Sequence, residues 1–250
     1  MKVIWVSANL LGFELLNECR HFFDDRLTII TLADTSKTVM YDSVRKEKWQ
    51  QFNAPVIEVD RTSDSVEIIK QINPDLIIMC GWRQLITKEL LQIPTFGWVG
   101  FHPTLLPNGR GPAPIINSIL EGVRHSGLSM FYLSEGIDDG DIIGQEPFTI
   151  EEHDYASHVY NKVVNAGKKL VSRYIPHLLE GTAPKIPQDH KRATFFKKIT
   201  LKDNEIDLVK DSCDKAYKKI RALSSPYKGA YIKIGDDKLF ISKASLTPNK

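Results

Sequence analysis

Hydrophobic positions fall into short continuous runs in the first third of the chain and into a three-or-four spacing further on, and the two patterns predict different elements. Residues 2–6 (KVIWV), 27–32 (LTIITL) and 75–80 (DLIIMC) are β-branched or apolar almost throughout, as expected of strands buried on both faces of a parallel sheet. Gly12-Phe13-Glu14-Leu15-Leu16 and Ser65 to Asn73 carry apolar residues at helical spacing. The chain therefore opens strand, turn, helix and continues as a doubly wound α/β unit. Residues 97–101 (GWVGF), 128–133 (LSMFYL) and 142–150 predict further strands and Ala113 to Leu120 a helix, so the sheet is expected to be mixed. From Tyr155 onward, Val159, Val163, Ala166, Leu170, Tyr174 and Leu178 mark one face of a long packing helix. Pro176 is expected to kink it or end it early, because the ring removes an amide donor and crowds the preceding turn.

Gly181 to Arg192, with Pro184 and Pro187, reads as a surface linker. Beyond it, Asp211 to Leu223 predicts a short helix, and Gly229 to Ser242 alternates apolar and polar residues around Gly235-Asp236-Asp237, a hairpin signal. The expected fold is α/β, a Rossmann-like mixed sheet flanked by helices, with a small C-terminal β-hairpin element. Residues 1–185 form the main domain; residues 186–250 are too few for a large core of their own and must pack on the body or on a second subunit. The edge that a terminal hairpin presents suggests a homodimer.

Composition narrows the class. The 250 residues carry 33 Lys plus Arg against 31 Asp plus Glu and are 42% hydrophobic, which excludes disordered and collagen-like chains. No apolar run reaches the length of about 18–20 residues that a membrane helix needs, and no signal-peptide core follows residues 1–6, so a cytoplasmic protein is expected. Cys19, Cys80 and Cys213 are too few and too scattered for a disulfide framework or a metal clip, and are expected to be buried, reduced thiols. Residues 185–250 hold 16 basic residues against 8 acids. That basic tail is read as a solvated surface before it is read as a nucleic-acid footprint.

Several chemistries are excluded by motif. The first turn, Ser7-Ala8-Asn9-Leu10-Leu11-Gly12, is not a GxGxxG loop, and neither GxxxxGK[ST] nor GxSxG occurs. His153 and His158 have the wrong offset for HExxH, and no metal is expected. The informative stretch is 97–144, GWVGFHPTLLPNGRGPAPI followed by GIDDGDIIG. His102 stands at a strand end, where reactive groups of an open α/β sheet collect, ahead of a turn stiffened by Pro103, Pro107, Pro112 and Pro114. Asp138, Asp139 and Asp141 surround Gly140, and a carboxylate there is placed to hold an imidazole in one tautomer and stabilise its protonated form.

These segments resemble the folate-dependent formyltransferases. His102-Pro103-Thr104-Leu105-Leu106-Pro107 and Arg110-Gly111 with Pro114 are similar to that family's Asn-x-His-(Pro)-Ser-Leu-Leu-Pro-x-x-Arg-Gly-x-x-Pro signature, and Asp138-Asp139-Gly140-Asp141 to its Asp-x-Gly-Asp loop. The resemblance covers roughly residues 1–180, and Ile220-Arg221-Ala222 with Pro226-Tyr227-Lys228-Gly229-Ala230 is similar to the start of the C-terminal domain of methionyl-tRNA formyltransferase. It implies transfer of a formyl group from 10-formyltetrahydrofolate to an amine. His102 would take the amine proton and Asp138 would orient it. Folate would lie against backbone of two loops, the 81–85 loop with Trp82, Arg83 and Leu85, where Trp82 reads equally as plain core, and the 136–141 loop with Gly136, Ile137, Asp139 and Asp141. The planar fork of Arg110 suits an oxyanion and is expected to contact the sugar or diphosphate, the alternative being that it braces the turn. One departure stands out: the family's asparagine two residues before the histidine is Gly100 here. Losing one oxyanion donor typically costs about 100- to 1000-fold in rate; protonated His102, a backbone N–H or Asn117 is placed to substitute.

Within the family, the poor phosphate turn after the first strand argues against a glycinamide ribonucleotide acceptor, and a C-terminal segment shorter than a full β-barrel argues against tRNA. The expected acceptor is a nucleotide-linked amino sugar, commonly a 4-amino-4,6-dideoxyhexose destined for bacterial surface polysaccharide, with no nucleic acid and no membrane as partner. Lys37, Tyr41 and Arg45, after the second strand, read either as a nucleotide contact or, with at least equal weight, as a solvated face. The alternatives are a methionyl-tRNA formyltransferase-like enzyme and a catalytically impaired homologue that only binds a nucleotide sugar.

Overall fold

The computed structural model describes residues 1–247. In chain order its elements are β1 (Val3–Val6), α1 (Leu10–Cys19), β2 (Leu27–Leu32), α2 (Lys46–Trp49), β3 (Val56–Val59), α3 (Val66–Ile72), β4 (Leu76–Met79), α4 (Lys88–Leu91) and β5 (Trp98–His102). There follow α5 (Pro114–Leu120), β6 (His125–Tyr132), β7 (Ile142–Thr149), α6 (Ala156–Leu179), α7 (Cys213–Leu223), β8 (Ala230–Ile234) and β9 (Asp237–Ile241). Seven strands form one sheet in the order β3-β2-β1-β4-β5-β6-β7; the first five run parallel, while β6 and β7 are antiparallel additions. The two-stranded β8–β9 hairpin stands apart.

The continuous apolar runs follow from burial on both faces. Val3 and Trp5 face the core under α1 and α6, whereas Ile4 and Val6 face a second core shared with α3 and α4. The period of two along a strand sends neighbouring side chains to opposite layers, so every position must be apolar. Asn9 starts α1 by accepting the Gly12 N–H at 3.0 Å, and Thr87 and Ser212 cap α4 and α7 in the same way.

Two expectations need correction. Pro176 does not stop α6, which runs on to Leu179, because the missing amide falls in the last turn, where Ile175 and Leu178 are buried and Glu180 N–H closes on the Pro176 carbonyl. Cys213 is exposed rather than buried, since it is the first residue of α7 on its outward side, while Cys19 and Cys80 are buried thiols. Strand β3 and the single-turn helices α2 and α4 were not anticipated, being too short to display a period.

Candidate active site

Strands β1, β4 and β5 release their carboxyl ends side by side, and the sheet order reverses between β1 and β4, the usual place for a ligand crevice in an open α/β sheet. Strand alternation places Trp98, Gly100 and His102 on one face of β5. His102 is buried, and its Nε2 lies 2.7 Å from the Gly109 carbonyl oxygen. A carbonyl only accepts, so Nε2 carries the hydrogen and the neutral ring presents a bare Nδ1, a tautomer assigned from this partner. Nδ1 faces Asp138 Oδ2 at 3.5 Å, and that same oxygen accepts the Gly111 N–H at 2.8 Å. The two residues anticipated as catalytic therefore meet. A ring that takes a proton at Nδ1 is held between a carbonyl on one side and a carboxylate on the other, which suits a general base.

Asp138 reaches His102 because its turn is unusually tight. Its φ is 49°, in the left-handed region, and a β-carbon on Gly140 would come 1.9 Å from the Tyr132 carbonyl oxygen, so only glycine fits there. Gln188 holds this turn against the neighbouring one. It is 5% exposed, its Oε1 accepts from Arg110 Nε at 3.2 Å and NH2 at 2.7 Å, and its Nε2 donates to the carbonyls of Asp138 at 2.9 Å and Gly140 at 2.7 Å. Thr194 adds a second fastening: its Oγ1 accepts from Gly109 N at 2.8 Å, its N–H donates to Pro107 O, and its carbonyl accepts from Arg110 N. The segment read as a surface linker is thus a strap along the back of the catalytic turn, bonded to β7 through Ile142 and Ile186. Sequence reasoning missed Gln188 and Thr194, since no local spacing marks a side chain whose partners lie 48 to 85 residues away.

The other anticipated residues are distributed as follows. Arg110 is 3% exposed, with its guanidinium on Gln188, 3.4 Å from His190 Nδ1 and over the Phe195 ring. It braces the turn, and its fork does not stand open to an oxyanion. Trp82 is core wall, its Nε1 donating to Thr62 Oγ1 at 2.8 Å, so the 81–85 loop offers backbone there rather than an indole face. Arg83 turns toward the 33–45 loop, donating to Val39 O at 3.0 Å, lying 5.5 Å over the Tyr41 ring and 3.9 Å from Asp42. Leu85 is 91% and Ile137 63% exposed, and the Lys88–Glu135 ion pair at 2.7 Å joins the ends of the two loops that carry them. Gly136 is exposed beside the half-buried Asp139, which accepts from Ser134 Oγ, and Asp141 accepts from Tyr132 N through its carbonyl at 2.9 Å. Lys37 is exposed, and Arg45 lines a small cavity of about 130 Å³ with Asp34 and Ser36. Asn117 is not free to replace a family donor: its Nδ2 already donates to the carbonyls of Pro112, Ala113 and Lys197 at 3.0, 3.2 and 3.0 Å. No group of His, Cys, Asp and Glu suited to a metal is found among the described residues.

Residues 28–175 match the family described as Formyl transferase, and residues 198–250 match the formyl transferase C-terminal domain. The chain belongs to the formyltransferase family. A methionyl-tRNA formyltransferase from Halalkalibacterium halodurans is 31% identical over 239 residues, which are 92% of this formyltransferase and 74% of that relative. A sugar N-formyltransferase from Shewanella sp. superposes with a TM-score of 0.77 at 20% identity, covering 100% of this chain and 99% of that one. An N-formyltransferase from Helicobacter canadensis, solved with folinic acid and dTDP-3-aminofucose, gives 0.73 at 21% identity over 99% and 88% of the two chains. The mixed sheet and small terminal hairpin anticipated from sequence are the fold these formyltransferases share with it.

Proposed function

We propose that the chain transfers a formyl group from 10-formyltetrahydrofolate to the amino group of a nucleotide-linked amino sugar. The folate supplies an activated formyl carbon. The two loops at the crevice mouth suit it, because Leu85 and Ile137 leave apolar surface uncovered beside the exposed backbone of Gly136, a setting for a flat heteroaromatic ring. His102 Nδ1 takes the proton that the acceptor nitrogen loses as its bond to the formyl carbon forms, and returns it to the folate nitrogen as the old bond breaks. Asp138 steadies the imidazolium between those events. Gly100 carries no side-chain donor and the Asn117 amide is spent, so oxyanion stabilisation falls to protonated His102 and backbone N–H groups.

The observation that carries the sugar-nucleotide reading is the Tyr41–Arg83–Tyr227 group at the β1/β4 crevice. Arg83 covers the Tyr41 ring, and Tyr227 meets that ring edge-on at 6.1 Å. An aromatic face beside a guanidinium suits a nucleobase joined to a diphosphate. The Shewanella and Helicobacter canadensis likenesses support the same choice, whereas the methionyl-tRNA formyltransferase relatives support tRNA as the second reading. Pairing of two copies through the apolar face of β8–β9, where Ile234 and Leu239 are exposed on one side of the hairpin, belongs to the same proposal.

The test is direct. The protein is incubated with 10-formyltetrahydrofolate and a panel of 3- and 4-amino-sugar nucleotides, with aminoacylated initiator tRNA in parallel, and products are weighed by mass spectrometry. Gain of one formyl group on a sugar nucleotide is expected. Formylation of the charged tRNA alone would replace this reading with the second one.

A further inference from the structure

The loop that follows β4 reaches back over the end of β1. In the sheet β1 separates β4 from β2 and β3, and the order reverses between β1 and β4, so a side chain that ties the loop after β4 to the loops after β2 and β3 spans the crevice. Three consecutive residues do this. Trp82 Nε1 donates to Thr62 Oγ1 at 2.8 Å, Arg83 NH1 donates to Val39 O at 3.0 Å, and Gln84 reaches both opposing loops at once.

The Gln84 amide is fully engaged. Its Oε1 accepts from the Thr62 N–H at 2.6 Å and from Thr62 Oγ1 at 2.8 Å, while its Nε2 donates to Thr38 Oγ1 at 2.8 Å and to the Asp60 carbonyl at 3.1 Å. A backbone N–H only donates and a carbonyl only accepts, so these partners fix which end of the amide is oxygen. The two ends hold different parts. Oxygen seats the 81–85 loop on the turn before α3, and nitrogen adds the 33–45 loop through Thr38, with Ser36 Oγ donating to the same Asp60 carbonyl at 3.0 Å. On one side of Gln84 in the chain is Arg83, over the Tyr41 ring; on the other is the exposed Leu85.

We propose that Gln84 is a positioning residue that sets the width of this crevice, its amide nitrogen holding the Tyr41 loop in register for the acceptor's nucleotide and its oxygen holding the 81–85 loop for folate. The inference rests on the sugar-nucleotide reading. Its mark is that the two ends of one amide serve two different ligands.

The test uses the intact protein with folinic acid and with thymidine or uridine diphosphate, whichever the parent binds more tightly, and reads both affinities by calorimetry. Gln84→Glu keeps the oxygen that Thr62 needs and loses both donations; Thr38→Val removes only the acceptor on the 33–45 loop. Each is expected to weaken the nucleoside diphosphate by about three- to tenfold, the worth of a hydrogen bond, and to leave folinic acid within about twofold. Gln84→Ala frees both ends and is expected to weaken both ligands by about threefold or more. A side chain that served only the fold would lower the melting temperature without separating the two affinities. If Gln84→Glu does not fold, Thr38→Val, at a half-buried position, carries the test alone. Equal loss of both ligands in Gln84→Glu, or nucleoside diphosphate binding that neither single substitution weakens, would overturn the proposal and leave the sugar-nucleotide reading standing. A parent protein that binds folinic acid but neither diphosphate would remove that reading and this proposal together.

Discussion

Leu133 covers Gly100. A β-carbon at position 100 would come within 2.6 Å of Leu133 Cδ2, so the space that a side chain on this strand position would need is filled by leucine from the end of β6. The absent asparagine and the leucine are one local solution: with no side chain on β5, an apolar group from the neighbouring segment packs in. Restoring the donor then takes two changes. Gly100→Asn alone is expected to leave turnover unchanged or lower. Gly100→Asn with Leu133→Ala is expected to raise it by about tenfold or more, approaching the contribution of one oxyanion donor. Steady-state kcat with a verified amine acceptor distinguishes the two.

The imidazole and the carboxylate have unequal shares. His102→Asn removes the proposed base, and kcat is expected to fall by about 100- to 10,000-fold. Asp138→Asn keeps a hydrogen-bond acceptor for Gly111 N–H but removes the charge that steadies the imidazolium, so a smaller fall in kcat is expected. Steady-state kcat of the two variants, measured side by side, checks this ranking.

Gln188 offers a way to loosen the turn without touching the reacting groups. Gln188→Glu keeps the acceptor for Arg110 and loses both donations to the Asp138 and Gly140 carbonyls. A fall in kcat of about tenfold or more with KM for the folate little changed is expected, as for a misplaced catalytic group. Gln188→Ala also strands a buried guanidinium and should destabilise the protein by about 1–3 kcal/mol, read as a lower Tm.

Thiol chemistry separates the three cysteines. Burial pushes the Cys19 and Cys80 thiols far above the ordinary range, whereas Cys213 is exposed. Iodoacetamide on the native protein is expected to label Cys213 alone within minutes, with mass spectrometry locating the adduct. The other two follow only on unfolding.

Asp211 anchors α7. Burial pushes its carboxyl up, but Lys215 at 2.6 Å and Lys219 at 2.7 Å, with the Asp207 N–H, hold it well below the usual carboxylate range. A depressed folded-state pKa gives stability that is present above the unfolded value of about 3.9 and is lost as pH falls toward the folded one. Asp211→Asn is expected to lower Tm at pH 7, with the difference from the parent narrowing steadily as pH falls below about 4. A difference that persists undiminished in acid would show that the carboxylate charge is not what holds the helix.

How much of this was legible in the chain depends on the range of each interaction. LTIITL and LIIM announce themselves because a strand buried on both faces has no polar position to spare, and His102 and Asp138 were visible because proline- and glycine-rich turns flank them. Arg110 was legible as a residue but not as a contact. Whether its fork meets solvent or Gln188 is decided by a segment 78 residues away. Leu133, Gln188 and Thr194 carry no local mark, and Pro176 was overweighted because a missing amide matters less in a last turn packed by Ile175 and Leu178.

The strap from Ile186 to Phe196 has a practical consequence for anyone exchanging parts between relatives. A splice at residue 185, where composition suggests a seam, would remove Gln188 and Thr194 together and leave the histidine turn without its backing. Chimaeras that aim to change the acceptor while keeping the chemistry should join after residue 197, so that the donor half brings its own buttress with it.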